Sequence, residues 1–263
     1  MNRYNLSKRL TKVVDLVEPA AFLADIGCDH GFLSIELVAK GRVKEALCTD
    51  INEGPLERAG AHIKDYCLED KISTLLSDGL TEIIKDKDAR RGFDCAAICG
   101  MGGLMGVKIM YEADELFKAM KYIYLQLQSD IELVRIYLEK CGYEILFEDM
   151  VFEDGKYYTV MKVTVADTAI KAADVFSDFE TLPGKLKNFY DSLSADESVR
   201  YKYPFYEDMD KKIYKEFLEF MLNKYRTISS YLPEDSDRKD IIKKEYDIME
   251  KAYELFNGKE YPV

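Results

Sequence analysis

Hydrophobic and polar positions alternate along the first part of the chain in a way that predicts a parallel sheet flanked by helices. Short apolar runs are separated by amphipathic segments, and this rhythm is typical of an α/β fold. The candidate strands are residues 21–26, 45–51, 72–77, 93–99 and 122–128. The clearest helices between them are residues 30–40, 54–68 and 130–141.

The rhythm changes at residues 143–165, where two β-rich runs are joined by Glu153-Asp154-Gly155-Lys156. Asp-Gly between such runs is a strong signal for a β-hairpin. The five alternating units are therefore expected to end in an antiparallel hairpin. This predicts a seven-stranded, mostly parallel sheet whose last strand is antiparallel.

No strand pattern follows residue 165, and residues 166–210 are expected to be irregular. Apolar residues then recur at spacings of four and three over residues 214–232 and 242–256, with a polar turn between them. Such stripes predict an antiparallel helical hairpin that resembles a coiled coil and whose Tyr and Met side chains pack between the helices. We expect two domains, residues 1–165 and 166–263.

Composition narrows the functional classes. The 263 residues carry a formal net charge of −12, which disfavours indiscriminate binding to nucleic acids. No apolar run approaches the ~20 residues of a membrane helix, and residues 1–12 lack an apolar stretch of signal-peptide type. The six cysteines show no CxxC pair or zinc spacing, so we expect reduced thiols, no metal site and a cytoplasmic protein.

Residues 1–12 are locally basic although the whole chain is acidic. Their charged residues are Arg3, Lys8, Arg9 and Lys12. Two interpretations are open, the solvated face of a helix or a patch that contacts phosphates. Charge alone favours the first.

The first four predicted strands each end in a turn that contains Asp or Gly, or both. These turns are Asp25-Ile26-Gly27-Cys28-Asp29-His30-Gly31, Thr49-Asp50-Ile51-Asn52, Ser77-Asp78-Gly79 and Cys99-Gly100-Met101-Gly102-Gly103. Each Asp alone is most simply a helix cap. Four such turns at one sheet edge favour a nucleoside-type ligand, with Asp50 at the ribose and Asp78 at the adenine amine.

The first turn differs from the dinucleotide-binding fingerprint GxGxxG, because it lacks the glycine pair that approaches a pyrophosphate. Asp29 within this turn would also repel phosphate, whereas it suits a cationic or amino group. The predicted ligand is therefore S-adenosylmethionine, which has an adenosine, an ammonium and a sulfonium but no phosphate.

Several segments resemble the bacterial tRNA methyltransferase family that acts on N1 of adenine 22. They are residues 6–17, 23–41, 49–63, 77–80, 98–110, 125–138 and 153–163. The most specific features are the Asp-His pair in the first turn, Gly-Pro-Leu at the second helix and Gly-Met-Gly-Gly after the fourth strand. The resemblance covers nearly all of residues 1–165.

This resemblance implies a Rossmann-like class I methyltransferase domain with a C-terminal helical domain, S-adenosylmethionine as methyl donor and tRNA as partner. The implied cofactor-binding residues are Asp25, Gly27, Cys28, Gly31, Asp50, Ile51, Asn52, Ser77, Asp78, Gly79, Cys99 and Gly100. The implied substrate-binding residues are Arg3, Lys8, Arg9, Lys12, Met101, Gly102 and Gly103. Asp29, and after it His30, are the candidates for stabilising the positive charge on the methylated base.

The chain departs from the family pattern at two places. Many members have Gln-Pro-Asn where this chain has Gln128-Ser129-Asp130, and the position of Cys28 is often serine. The first change would alter how the target base is held. Two alternative functions are a methyltransferase for a small molecule or protein, and a cofactor-binding module without catalysis.

Overall fold

The centre of the protein is one seven-stranded sheet in a computed structural model that describes residues 6–85, 92–233 and 236–258. The strands are β1 (Ala20–Ile26), β2 (Val43–Asp50), β3 (Ile72–Leu76), β4 (Cys95–Met101), β5 (Tyr122–Leu127), β6 (Tyr143–Glu153) and β7 (Lys156–Val165). Their order is β3-β2-β1-β4-β5-β7-β6. Strands β1 to β5 are parallel, and β7 is antiparallel to both β5 and β6. The predicted sheet is confirmed.

Helices cover both faces of this sheet. They are α1 (Lys8–Leu16), α2 (Phe32–Ala39), α3 (Glu53–Asp65), α4 (Thr81–Lys85), α5 (Gly103–Glu112), α6 (Asp114–Ala119) and α7 (Ile131–Lys140). Helices α1, α2 and α3 share one apolar core with the sheet, and α5, α6 and α7 share the other. The strands have cores on both sides, which explains their nearly continuous apolar runs.

The hairpin β6–β7 turns where the sequence predicts it. Asp154 and Gly155 both have positive φ, 49° and 75°, as the tight turn favoured by Asp-Gly requires. Because β7 runs antiparallel to β5, this turn lies at the carboxyl edge of the parallel strands.

The prediction that residues 166–210 are irregular is wrong. This segment forms α8 (Ala172–Val175), α9 (Leu182–Ser192) and α10 (Ala195–Lys202). Leu182, Leu186 and Tyr190 form a buried stripe on α9 and join the core of the sheet. Their spacing of four was a helical signal, but it was too short to stand out among Asp, Ser and Pro. The domain boundary at residue 165 stays a prediction.

The C-terminal helical hairpin is confirmed as α11 (Lys211–Tyr231) and α12 (Asp237–Gly258). Tyr214, Leu218 and Tyr225 are buried against Met249 and its neighbours on α12. A buried arginine helps to join this half to the sheet. Arg135 on α7 pairs with Glu148 on β6 and donates to the carbonyl of Tyr201 on α10.

Candidate active site at the carboxyl edge of the sheet

The turn after β1 is bonded to the end of β2 at this edge. The amides of Gly27 and Cys28 donate to the carbonyl of Thr49, at 2.8 and 3.0 Å. Gly27 and Gly31 both have a φ of 70°, which glycine adopts at little cost. A Cβ on Gly31 would lie 3.1 Å from the Cβ of Ala59 on α3, so this glycine also permits close packing.

The carboxylate of Asp25 is buried behind this turn. Ser34 Oγ donates to Asp25 Oδ2 at 2.7 Å, and this bond fixes the start of α2 to the end of β1. Only 2% of Asp25 is exposed. Burial raises the pKa of Asp25 to about 6, while the bond from Ser34 opposes the rise.

Asp50 connects the turns that follow β1 and β2. Its carboxylate accepts from the amide of Asn52 at 3.0 Å and from the amide of Asp29 at 3.4 Å. At the end of β3, Lys108 Nζ lies 2.8 Å from Asp78 Oδ2. This hydrogen bond to Asp78 raises the pKa of Lys108. Ser77 has a structural role as well, because its Oγ accepts from the amide of Glu82 in α4.

Two adjacent cavities follow this edge and share Gly27, Cys99 and Gly100. The first, of about 310 Å³, combines the carboxylates of Asp50 and Asp78 with apolar walls. These walls include Ile51, Met105 and Ile109. The second, of about 260 Å³, is lined by charged and polar groups. They include Arg9, Asp25, Asp29 and His30. We call the first the apolar half and the second the charged half of one cleft.

The two predicted catalytic residues lie in the charged half. The side chain of Asp29 is 65% exposed, and its carboxylate lies 3.6 Å from His30 Nε2 and 3.7 Å from Arg58. His62, for which the sequence suggests no function, supports this turn. Its Nδ1 is 3.0 Å from the carbonyl of His30, and its ring stacks on Phe32.

The thiols at the cleft are poor nucleophiles. The hydrogen bond with Cys48, together with burial, raises the pKa of Cys28, and burial raises the pKa of Cys99. Both thiols therefore stay protonated at neutral pH, which disfavours covalent catalysis through cysteine. All six cysteines are free.

The wall beyond β4 is built from glycines that pack on the end of β5. Gly100 has a φ of 80° and marks an irregularity in the pairing of β4 with β5. The amide of Gly103 donates to the carbonyl of Ser129 at 3.0 Å, and a Cβ on Gly103 would lie 2.2 Å from that oxygen. Gly102 and Gly103 thus lie against Ser129 and Asp130, where the chain departs from the family pattern. The side chain of Met101 extends toward the turn after β1, and a Cβ on Gly27 would lie 2.6 Å from the Cε of Met101.

The basic residues of the N-terminal segment have different surroundings. Arg9 turns into the charged half, where its Nη1 donates to Gln126 Oε1 at 2.5 Å and its Nε lies 3.6 Å from Glu153. Lys12 is paired with Asp149 at 2.6 Å. Lys8 is exposed, and Arg3 lies outside the described residues.

Several cleft residues were not foreseen, among them Lys108, Met105 and Ile109. Lys108 is the single cation within the apolar run of residues 103–111, and that isolation was its one sequence signal. The part of the chain that the structure describes contains no group of three or more His, Cys, Asp or Glu side chains placed to hold a metal ion. Nor does any described helix have the length and apolarity to cross a membrane.

A parallel sheet in this order, with an antiparallel β7 and a cleft over the first glycine turn, defines a class I methyltransferase domain. The family described as "Methyltransferase domain" matches residues 6–161. A curated relative, tRNA (adenine(22)-N(1))-methyltransferase of Bacillus subtilis, is 32% identical over 167 residues, which cover 64% of this chain and 68% of the relative. The chain belongs to the family of tRNA (adenine(22)-N(1))-methyltransferases.

Solved structures extend the similarity of fold to the C-terminal helices. TrmK of M. capricolum, in complex with S-adenosyl-homocysteine, has a TM-score of 0.72 at 22% identity and covers 96% of this chain and 100% of its own. The B. subtilis M1A22 tRNA methyltransferase TrmK has a TM-score of 0.69 at 20% identity, with 95% and 99% covered.

Proposed function

We propose that this protein transfers the methyl group of S-adenosylmethionine to N1 of adenine 22 in tRNA. The observation that supports it most is the cleft itself, which joins an apolar half with two carboxylates to a charged half. A nucleoside with a charged amino-acid tail matches these two halves. The membership of the chain in the family supplies the acceptor.

The apolar half fits the adenosine of the cofactor. Asp50 would accept from the ribose hydroxyls and Asp78 from the adenine amine. The side chains of Ile51 and Met105, which are 62% and 49% exposed, would cover the two faces of the base. Gly79 leaves room beside Ile109, because a Cβ there would lie 3.1 Å from that side chain.

The charged half fits the methionine end of the cofactor. Arg9, fixed by Gln126 and Glu153, would bind the carboxylate. This is a different function from the tRNA contact that the sequence suggests. The buried carboxylate of Asp25 would place negative charge near the sulfonium.

The cofactor, when bound, supplies a methyl group on a positively charged sulfur. Adenine N1 has an in-plane lone pair, so no base is needed before it attacks in line with the leaving sulfur. The protein contributes chiefly by alignment, which the rigid turns at Gly27 and Gly103 provide. We propose that Asp29, with His30 beside it, stabilises the positive charge near the reacting atoms. Because adenine 22 lies within folded RNA, the base has to leave its stack.

Such a displacement requires no Lewis acid, so we propose that activity needs no metal ion beyond what keeps tRNA folded. Because the protein would act on tRNA, we also propose that it works in the cytoplasm.

The experiment that tests this function is incubation with labelled S-adenosylmethionine and bulk bacterial tRNA, followed by nucleoside mapping. We expect 1-methyladenosine as the labelled product. Asp50→Ala should weaken cofactor binding by about 1–3 kcal/mol, the range for a buried group that loses its partner. Label in a small molecule or protein, with none in tRNA, would support the alternative methyltransferase instead.

A further inference from the structure

Four aromatic side chains form a partly exposed patch where the β6–β7 hairpin meets α11. We call Phe152, Tyr157, Phe217 and Phe220 the aromatic patch. The ring centroids of Phe152 and Tyr157 are 4.8 Å apart, and Tyr157 lies 5.2 Å from Phe217 and 5.7 Å from Phe220. Phe152 is 42% exposed and Phe220 is 48% exposed. Contiguous exposed rings of this kind usually mark an interaction surface.

The aromatic patch lies at the active-site edge of the sheet, on the side away from the proposed adenosine site. Phe152 on β6 is paired directly with Tyr157 on β7, next to the hairpin turn. This turn lies at the same edge of the sheet as the ends of β1 to β5. In the strand order, β6 is three places beyond β4 and on the opposite side from β2 and β3, where Asp50 and Asp78 lie. Three steps of ~4.8 Å place it roughly 14 Å from the end of β4. That distance suits a nucleotide near the target base rather than the target itself.

A chain of contacts connects the aromatic patch to the cleft. Glu153 follows Phe152 directly, accepts from the amide of Lys8, and pairs with Arg9 of the charged half. Arg9 also lies over the ring of Tyr158, 5.5 Å from its centroid. This connection passes through the hairpin itself, because Glu153 and Phe152 are neighbours on β6 and their side chains lie on opposite faces of the strand.

The charges around the patch indicate what could occupy it. Lys8, Lys156 and Lys224 are exposed, and none forms an ion pair with another residue that the structure describes. Lys224 lies one turn beyond Phe220 on the same face of α11. Burial raises the pKa of Tyr157, and the negative charge of Glu216 adds to the rise. Exposed rings flanked by unpaired lysines suit an unstacked base with its phosphates, because any base can stack on an aromatic ring.

We propose that the aromatic patch stacks an unpaired nucleotide of the tRNA substrate close to the target adenine. This rests on the proposed function and adds a substrate subsite to it. The lysines of this subsite also add positive charge for binding tRNA. Helix α1 supplies less of it, because Arg9 and Lys12 are already paired with Glu153 and Asp149.

Fluorescence offers a direct test, because the chain contains no tryptophan. In Phe220→Trp the new indole is the single tryptophan reporter, and stacking on a base should quench it when tRNA is added. S-adenosylhomocysteine alone should leave it unchanged. The matched control is Tyr231→Trp near the far end of the same helix, where the side chain is 83% exposed. Equal quenching of both indoles, or none at position 220, would overturn the proposal.

Kinetics provide a second test. Phe152→Ala and Phe220→Ala should each raise KM for tRNA by roughly 5- to 150-fold, the range for loss of one base–aromatic stack. Affinity for S-adenosylmethionine, measured by calorimetry, should stay at the wild-type value and report an intact fold. Phe152→Leu and Phe220→Leu keep apolar packing but lose the ring, so they should resemble the alanine variants.

Leucine variants with the wild-type KM would show that the rings merely pack the hairpin on α11, and the inference would fail. This result can be distinguished from failure of the proposed function. If the proposed function fails, the wild-type protein itself does not methylate tRNA.

Discussion

The buried carboxylate of Asp25 should make the stability of the protein depend on pH in a defined window. Burial raises its pKa from the ordinary value of 3.8 to about 6. Well below pH 3.8 the carboxyl is protonated in both the folded and the unfolded chain. Between pH 4 and 6 the unfolded chain loses this proton while the folded chain keeps it. The contribution of Asp25 to the free energy of unfolding therefore falls as the pH rises through this window.

The size of the effect follows from the two pKa values. The shift of about two pH units, at ~1.36 kcal/mol per unit, corresponds to about 3 kcal/mol in all, of which roughly 2.5 kcal/mol is lost between pH 4 and pH 7. Asp25→Asn removes the ionisation but keeps an oxygen that can accept from Ser34. All other groups titrate alike in both proteins. The difference in unfolding free energy should thus shift by roughly 2.5 kcal/mol in favour of the variant across the window.

Urea unfolding followed by circular dichroism at pH 4, 5, 6 and 7 measures this difference. Ser34→Ala is the companion variant, because loss of its hydrogen bond should raise the pKa of Asp25 further and extend the window upward. A difference that stays constant from pH 4 to 7 would refute the reasoning. At neutral pH, Asp25→Asn should also reduce the preference for S-adenosylmethionine, whose sulfur is positively charged, over S-adenosylhomocysteine, whose sulfur is neutral.

Three further outcomes are expected. Lys108→Met should weaken cofactor affinity several-fold, because Lys108 no longer holds the carboxylate of Asp78 in position, and the stability of the fold should not change. Calorimetry showing full affinity would contradict this. Gly103→Ala should abolish methyl transfer, because a Cβ there meets a carbonyl at 2.2 Å, and retained turnover would show that the wall can shift. Glu148→Gln should lower the free energy of unfolding by about 3–5 kcal/mol, since Arg135 would be left buried without its counter-charge; a loss below 1 kcal/mol in urea unfolding would argue against that.

The sequence predicts the sheet edge well because its signals are local. A glycine or aspartate that ends an apolar run marks the end of a strand, and parallel strands place such ends together. Gly27, Asp50 and Asp78 are therefore found at one edge, as expected. The turn at Asp154-Gly155 could be predicted for the same reason.

The different environments of Arg9 and Lys12 could not be predicted locally. The partners of Arg9 are Gln126 and Glu153, more than 100 residues away, and they come close only once β5 and β6 have taken their places in the sheet. Lys108 is a similar case, since α5 has to pack on the sheet before Lys108 can reach Asp78, 30 residues earlier in the chain. Charge patterns along a sequence do not reveal which cation is neutralised.

The most direct test of the whole account is methylation of a defined tRNA transcript, compared with the same transcript carrying guanine in place of adenine 22. With S-adenosylmethionine and the wild-type protein, mass mapping should show one methyl group on N1 of adenine 22 in the first transcript and none in the second. Methylation of both transcripts at another nucleotide, or of neither while S-adenosylmethionine binds, would contradict the central claim.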